Sequence, residues 1–396
     1  MSLAQALADR RLSQFGTSIF TTMSALAERF GAVNLGQGFP DDSGPDYLMQ
    51  AAADAMRAGR NQYPPAPGVP ELRQAIARHQ ARYYGLDLDP ATDVVVTAGA
   101  SEALTAALVA LVQPGDEVLV LEPYYDLYPA AVSLAGGVLV PVRLAAPGYA
   151  FDQALLEAAI TPRSRVLLLN TPHNPTGTVL SASDLAAIAQ LAQRHDLLVI
   201  TDEVYEHLTY DGVAHIPPVT VDGMHDRTIS ISSAGKSLSV TGWKIGWATG
   251  PAELVGAVAG VKQFMSFAAG TPLQYAVADA LGRCDPFWTQ LAPDLQKRRD
   301  LLANGLIRAG YTVNHPAGSF FLMADLSEVT DAEAMEFCLD LAPASGVAAI
   351  PAQVFYADQS AARSVVRFTF CKRADVLREG IRRLTRVSSE HVGAEG

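Results

Sequence analysis

Two lysines stand close together in the segment SSAGKSLSVTGWKIGW, which covers residues 232–247. Small and hydroxyl residues surround Lys236 and Lys244, and neither lysine has an evident acidic neighbour in the segment. A surface position is the ordinary interpretation of any single lysine, because lysine is seldom buried without a partner. A chemical role for this pair therefore needs support from the rest of the chain.

Three other groups of polar residues follow hydrophobic segments. In VTAGASEAL, Gly99 allows a turn before a helix that starts near Ser101, and the N–H groups of such a helix start can bind phosphate. In NTPHNPTG, prolines hold Asn174 at a rigid corner. Asp202 ends the hydrophobic segment of VITDEVY, and a buried carboxylate there needs a cationic partner. Taken singly, these features also fit an ordinary turn, a structural corner and a helix cap.

The elements that must position these groups are short hydrophobic strands alternating with helical patterns. The strand segments read DVVVT, EVLVLEP, SRVLLLNTP, LLVITDEVY and TISISS, and together they predict a buried, mostly parallel sheet covered by helices. Between them, SEALTAALVALV and ASDLAAIAQLAQRHD predict helices, each with an opening serine as its N-cap. Since ligands bind at the carboxyl ends of such strands, the polar groups are expected to share one edge. After about residue 275, a long helix, two strand candidates and a closing helix predict a second, smaller domain.

Composition restricts the possible partners. The chain has 396 residues, 49% of them hydrophobic, and a net charge of −12 without a basic block, which argues against nucleic acid and anionic membranes as partners. Cys284, Cys338 and Cys371 are odd in number and widely spaced, which fits neither a disulfide framework nor a zinc site. No metal site is expected, and His173 is interpreted as a loop or packing residue. The start of the chain lacks a signal core and no apolar run is long enough to span a membrane, so a cytoplasmic location is expected.

A phosphate cradle, a rigid polar corner, a buried aspartate and a lysine in a Ser/Gly loop are the parts that a pyridoxal phosphate site needs. The chain resembles the class I, fold-type-I pyridoxal-phosphate-dependent aminotransferases over nearly its whole length. The resemblance lies in the segments NLGQGFPD, NQYPPAPGVPELR, EPYYDLY, NTPHNPTG, TDEVYEHL, SSAGKSLSVTGWKIGW and VVRFTFCK. NLGQGFPD and NQYPP are most similar to the branch of kynurenine, glutamine and methionine transaminases and actinobacterial N-succinyldiaminopimelate aminotransferases.

The resemblance implies an α/β fold with a large domain, whose mostly parallel seven-stranded sheet lies between helices, and a smaller α+β domain. Residues 1–45 would form an N-terminal arm and part of the small domain. Residues 46–277 would form the large domain that binds the cofactor, and residues 278–396 the small C-terminal domain.

The resemblance also implies roles at the centre of the site. Lys236 would form the internal aldimine and then move a proton between the substrate Cα and the cofactor, which requires a lowered pKa. Asp202 would keep the pyridine nitrogen protonated. Asn174 and Tyr205 would bond the phenolic oxygen of the ring, and Tyr125 would stack on the ring.

For the cofactor phosphate, the resemblance implies the backbone at Ala100 and Ser101, the hydroxyl of Ser233 and the ammonium of Lys244. Tyr63 would reach the phosphate of the neighbouring subunit, which makes a homodimer with shared sites the smallest complete unit. The stiff, proline-rich loop that follows Tyr63 fits such a reach.

For the substrate, Arg367 would grip the α-carboxylate with its planar fork, and Gly38 would let that carboxylate approach the backbone. The motifs assign no second arginine to a distal carboxylate, although Arg363 or Arg373 could approach in the folded chain. The sequence does not decide which amino donor and which acceptor are used.

The predicted function is a transaminase that moves an amino group from an L-amino acid, or an amine like N-succinyldiaminopimelate, to a 2-oxo acid such as 2-oxoglutarate in ping-pong fashion. A cysteine-S-conjugate carbon–sulfur β-lyase would use nearly the same residues and stays open as an alternative. A regulator that senses pyridoxal phosphate would need a DNA-binding module, for which the few residues before the SIFTTMSALAERF segment are too short and insufficiently basic.

Overall fold

The computed structural model describes residues 12, 15–16, 18–283 and 285–392, excepting the side chains of 285 and 386–392. Three features of the sequence analysis therefore lie outside the described residues. They are the start of the chain, where a signal core was sought, part of the predicted N-terminal arm, and Cys284. Cys338 and Cys371 are buried and free. Among the described helices, none combines the length and the hydropathy that crossing a membrane requires, and the cytoplasmic location stays a prediction.

Thirteen α-helices, five short 3-10 helices and thirteen strands lie in the described part of the chain. The helices α1 to α13 are Ile19–Phe30, Asp46–Arg57, Pro70–Tyr84, Ala100–Leu111, Leu127–Ala135, Gln153–Ala159, Ala182–Arg194, Ala234–Ser237, Ala252–Met265, Thr271–Leu281, Asp285–Arg308, Ala334–Ser345 and Ala374–Val392. The strands β1 to β13 are Val33–Asn34, Val94–Thr97, Glu117–Glu122, Val138–Arg143, Ser164–Asn170, Leu198–Asp202, Thr228–Ser233, Gly246–Thr249, Thr312–Val313, Phe321–Asp325, Val347–Ala348, Ile350–Pro351 and Val365–Thr369.

A seven-stranded sheet forms the centre, with the strand order β2-β8-β7-β6-β5-β3-β4. Its strands run parallel except for β8, which is antiparallel to both of its neighbours. All five segments predicted as strands lie in this sheet, and the predicted mostly parallel α/β architecture is confirmed. The sequence reading missed β4, a half-exposed edge strand that contains Pro141, and β8, which has only four residues.

The register brings the ends of the strands together. Asn170 at the end of β5 pairs with Asp202 at the end of β6. Gly246 at the start of β8 pairs with Ser233 at the end of β7 and with Thr97 at the end of β2. The polar groups that follow the hydrophobic segments therefore share one edge of the sheet, as expected for parallel strands.

The C-terminal part is built differently. An antiparallel sheet with the order β12-β13-β10-β9 packs with α11 and α12. Helix α13 packs against α11, α12, β1 and β11, and β1 pairs in parallel with β11. The N-terminal segment is thereby tied to the C-terminal part, which is consistent with a smaller α+β unit. The predicted domain boundaries at residues 45 and 277 stay predictions.

The predicted serine caps were wrong in detail. The N-cap of α4 is Gly99, with φ 77° and ψ 168°, so Ser101 lies inside the first turn. The N-cap of α7 is Ser181, which forms a capping box with Asp184, whereas the serine of the quoted segment, Ser183, lies within the helix. At α4, a glycine reaches the left-handed φ that this strand-to-helix turn requires, and this leaves the serine hydroxyl free for other contacts.

Candidate active site

A cavity of about 410 Å³ opens at the carboxyl edge of the seven-stranded sheet. Its wall contains eleven of the twelve residues predicted for the site, and only Tyr63 lies elsewhere. The eleven are Gly38, Ala100, Ser101, Tyr125, Asn174, Asp202, Tyr205, Ser233, Lys236, Lys244 and Arg367. The structure therefore brings together residues that are more than 300 positions apart.

One end of the cavity is suited to a phosphate. The N-terminus of α4 presents its backbone there, and the Lys244 Nζ donates to the Ser101 hydroxyl oxygen at 3.4 Å. A Cβ on Gly99 would lie 3.0 Å from that Nζ, and a Cβ on Gly246 would lie 2.5 Å from the Gly99 carbonyl carbon. Glycine at these two positions lets the cation and the helix start approach each other, which is the arrangement that binds anions.

Lys236 stands on the four-residue helix α8, at the cavity wall. Its Nζ donates to the Gly38 carbonyl oxygen at 3.1 Å and lies 5.2 Å from the centre of the Phe320 ring. Burial lowers the pKa of Lys236 to about 8, while the charge of Arg367 lowers it further and the charge of Asp202 raises it. A useful fraction of the lysine is therefore a free amine near neutral pH, as a nucleophile requires.

Asp202 ends β6 and is 4% exposed. Its carboxylate accepts a hydrogen bond from the Tyr128 hydroxyl at 2.8 Å. Burial raises the pKa of Asp202 to about 6, and the Tyr128 hydrogen bond opposes that rise. A buried carboxylate aimed into a cavity fits a cationic N–H group of a ligand, which would lower this pKa again.

Arg367 lies on β13 and is 1% exposed. Its terminal nitrogens donate to the Asn174 side-chain oxygen at 2.8 Å and to the Gly36 carbonyl oxygen at 3.0 Å. Among the described residues, its buried Nε has no hydrogen-bond partner. Burial lowers the pKa of Arg367 to about 10, so the group stays charged at neutral pH. A buried guanidinium with neutral partners and an Nε–H without a partner is suited to bind a carboxylate.

Hydrogen bonds of the Asn170 side chain fix the backbone corner that carries Asn174. The Asn170 side chain accepts from the Asn174 backbone N–H at 2.7 Å and donates to the Asp202 carbonyl oxygen at 2.8 Å. His173 contacts the Thr176 hydroxyl at 2.7 Å, and burial lowers its pKa to about 3. His173 is thus a neutral packing residue, in agreement with its interpretation from the sequence.

The two tyrosines of the cavity differ in their surroundings. Tyr205 is 3% exposed, with its ring edge-on to Phe320 at 5.1 Å between centroids. Tyr125 packs edge-on against Tyr128 at 5.7 Å, which leaves its ring at the cavity wall. Burial raises the pKa of both hydroxyls, so both are neutral hydrogen-bonding groups.

Gly38 has a packing reason as well as the predicted one. A Cβ at this position would collide with the ring of Phe321, a residue of β10 that also lines the cavity. The same Phe321 ring lies under the Arg367 guanidinium, 3.9 Å from its centroid. Glycine thus lets the N-terminal segment pack directly against the aromatic wall.

Tyr63 lies outside the cavity and is 85% exposed. Its ring packs edge-on against Phe267 at 5.6 Å, and Phe264 nearby in sequence is 86% exposed. Within the single chain, the structure therefore does not bring Tyr63 to the other predicted site residues. The two arginines left open for a distal carboxylate pair with surface acids instead, Arg363 with Glu333 and Arg373 with Asp375.

Sequence reasoning missed several residues of the cavity wall, including Ser18, Phe20, Asp126 and Phe321. Phe20 and Ser18 come from the start of α1, far from the other site residues in sequence. Of these residues, Asp126 could have been predicted from the sequence, because it is an acidic residue that closely follows the end of a predicted strand and stands next to Tyr125 in the EPYYDLY segment.

The cavity fits the predicted cofactor on three structural observations. A helix start held against a lysine by glycines suits its phosphate, and the buried Asp202 suits its protonated ring nitrogen. The lysine with a lowered pKa suits its aldehyde.

Comparison with known proteins points the same way. The model of the family "Aminotransferase class I and II" matches residues 31–384. A probable N-succinyldiaminopimelate aminotransferase of Mycobacterium tuberculosis is 51% identical over 386 residues, covering 95% of this chain and 97% of that protein. The methionine aminotransferase of Escherichia coli is 41% identical over 375 residues, covering 94% and 97%. The solved structure of the Mycobacterium tuberculosis N-succinyldiaminopimelate aminotransferase aligns with a TM-score of 0.93 over 96% of this chain and 99% of that one. The predicted resemblance is confirmed: the chain belongs to the class I and II aminotransferases, pyridoxal-phosphate enzymes that transfer an amino group to a 2-oxo acid.

Proposed function

We propose that the donor is an amino acid whose α-carboxylate binds Arg367, and that N-succinyldiaminopimelate is the first donor to test, with 2-oxoglutarate as acceptor. The observation that carries the carboxylate assignment is the buried Nε of Arg367, which lacks a partner among the described residues. The choice of donor is supported by the relative named for N-succinyldiaminopimelate, which is 51% identical.

The proposed division of labour follows the cavity. Lys244, Ser233 and the backbone at Ala100 and Ser101 hold the cofactor phosphate. Asp202 pairs with the ring nitrogen, and bound pyridoxal phosphate supplies a ring that accepts the electron pair of the substrate Cα–H bond.

Asn174 and Tyr205 bond the phenolic oxygen of the ring, and the Tyr125 face stacks on it. With pyridoxal phosphate bound, the free amine of Lys236 would take the proton from the substrate Cα and deliver it to the cofactor carbon that carries the transferred nitrogen. The Lys236 Nζ must lie close to both carbon atoms, and its hydrogen bond to the Gly38 carbonyl oxygen keeps it at the cavity wall.

The working unit is proposed to be a homodimer with shared sites. Tyr63, Phe264, Met265 and Phe267 are 85%, 86%, 49% and 43% exposed in the single chain. Exposed large apolar side chains in one region are typical of an interaction surface. A second copy of the chain would cover them and would place Tyr63 at the partner's cofactor phosphate.

The carboxylate assignment is tested with Arg367→Lys on a panel of donors, including N-succinyldiaminopimelate, methionine, kynurenine, aspartate and glutamate. Lysine keeps the charge but loses the planar fork, so kcat/KM should fall roughly 30-fold for every donor. This corresponds to a loss of about 2 kcal/mol of binding free energy in the transition state. Arg363→Lys is the matched control, because Arg363 is 62% exposed and pairs with Glu333, so it should leave all rates unchanged.

A loss confined to aspartate and glutamate would instead place Arg367 at a side-chain carboxylate. An S-substituted cysteine in the same panel separates the two reactions: release of pyruvate without the pyridoxamine form of the cofactor would support the β-lyase alternative.

A further inference from the structure

Helix α8, which carries Lys236, is too short to hold its own position. It has four residues, and a helix leaves its last carbonyl groups without partners inside the helix. One of these, the Ser237 carbonyl next to the lysine, accepts a hydrogen bond from the indole Nε1–H of Trp288 at 2.7 Å. Trp288 lies on α11 and is 6% exposed. A residue 51 positions away therefore fixes the end of the helix that presents the lysine.

Trp288 is held in turn by His207. The two rings stack with their centroids 3.6 Å apart and their planes at 15°. His207 follows Tyr205 by two residues, so the segment that supplies Asp202 and Tyr205 to the cavity also supplies the ring beneath Trp288. The segments that carry Asp202 and Lys236, which must face the same cofactor ring, are thus linked through two stacked side chains.

Hydrogen bonds hold the His207 ring and the neighbouring Glu206 side chain. Its Nε2 lies 2.8 Å from the Nε2 of His79 on α3. The neighbouring Glu206 carboxylate accepts from the Tyr84 hydroxyl at 2.7 Å and from the Ser232 hydroxyl. Burial lowers the pKa of His207 well below its usual value, so the ring is neutral.

His79, Glu206 and His207 are also close enough to suggest a metal site. However, the ring nitrogens of His79 and His207 already contact each other, and the Glu206 carboxylate accepts from Tyr84 and Ser232. A metal ion would compete with these hydrogen bonds. The arrangement fits a structural support better than a metal site.

We propose that Trp288 is a positioning residue for Lys236: its indole N–H holds the Ser237 carbonyl, and the stacked His207 ring holds the indole. The proposal rests on the catalytic role proposed for Lys236. Loss of the indole N–H frees the end of α8, so the lysine reaches water more easily and its ammonium form becomes more stable.

The test measures Lys236 itself rather than turnover. In cofactor-free protein, the rate at which a small aldehyde and a borohydride reductant label Lys236 is followed against pH by peptide mass spectrometry. Trp288→Phe keeps an apolar ring but removes the donor. We expect its labelling midpoint to rise by about one pH unit and its labelling rate at pH 7 to fall about tenfold. With cofactor bound, kcat should fall while the KM for amino acids stays unchanged.

Two further variants separate positioning from general stability. His207→Ala removes the stack and should shift the Lys236 midpoint in the same direction, whereas His207→Phe keeps a flat ring and should restore it. Leu302→Ala opens a cavity on the same helix α11, where Leu302 is 0% exposed, and should lower the melting temperature without moving the midpoint.

A wild-type midpoint in Trp288→Phe would overturn the proposal, and so would a Leu302→Ala shift as large as that of Trp288→Phe. A wild-type midpoint in His207→Ala would overturn the part assigned to His207. If these variants behave as expected but Lys236→Ala still turns over substrate, the positioning holds and the proposed function fails.

Discussion

Lys236 should be far more reactive than an ordinary lysine even before any cofactor binds. Its pKa is lowered from the ordinary 10.5 to about 8, chiefly because the folded chain screens the ammonium from water. At pH 7 about 9% of Lys236 would be free amine, against about 0.03% of an ordinary lysine, a ratio of about 300. The experiment therefore varies the pH of the solution that contains the cofactor-free protein.

The assay follows reductive labelling by a small aldehyde at a series of pH values, with peptide mass spectrometry to read each lysine separately. A short lysine model peptide, labelled in parallel under the same conditions, is the reference for an ordinary lysine. The labelling rate of Lys236 should rise with pH and level off above about pH 8, while the rate of the model peptide keeps rising through that range.

Two variants should move the Lys236 midpoint in opposite directions. Arg367→Gln removes a positive charge that lowers the pKa, so the midpoint should rise. Asp202→Asn removes a negative charge that raises the pKa, so the midpoint should fall. A Lys236 profile that matches the model peptide, or two variants that shift it the same way, would refute the reasoning that burial and these charges set its reactivity.

Three further predictions concern the proposed roles. Lys236→Ala should abolish turnover but keep most cofactor affinity, measured by equilibrium dialysis, because other groups hold the phosphate and ring nitrogen; near-normal turnover would remove Lys236 from the mechanism. Asp202→Asn keeps the shape but loses the charge, so the single-turnover rate should fall much more than substrate affinity, and an unaltered rate would contradict its role. Mixing Lys236→Ala with Tyr63→Ala chains should restore activity at limiting cofactor towards one working site per dimer, since one site then has both an intact lysine and an intact tyrosine from across the interface. Verified mixed dimers without recovery, where Tyr63→Ala alone is impaired, would place Tyr63 within its own subunit.

The sequence by itself determined the sheet and the chemistry at its edge. Four of the five buried strands contain continuous runs of Val, Ile and Leu, and the fifth, TISISS, alternates Ile with Thr and Ser. Asn174, Asp202 and Lys236 each lie at the end of one of these strands or a few residues beyond it. Parallel strands place their carboxyl ends together, so local pattern was enough to predict which of these groups meet. Strands β4 and β8 escaped because one is a partly exposed edge and the other is short, and both therefore lack that pattern.

Only the tertiary structure decided the surroundings of the substrate. Arg367 meets Asn174 across 193 positions, and Phe20 and Phe321 reach the same cavity from opposite ends of the chain. The stack of His207 on Trp288 and the exposure of Tyr63 also depend on how distant elements pack. Such contacts leave no local periodicity, because each partner only has to fit a surface that forms once the whole chain has folded. The chemistry required a lowered pKa of Lys236 in advance. The cause of that lowering, burial of the side chain in the folded protein, is a property of the fold alone.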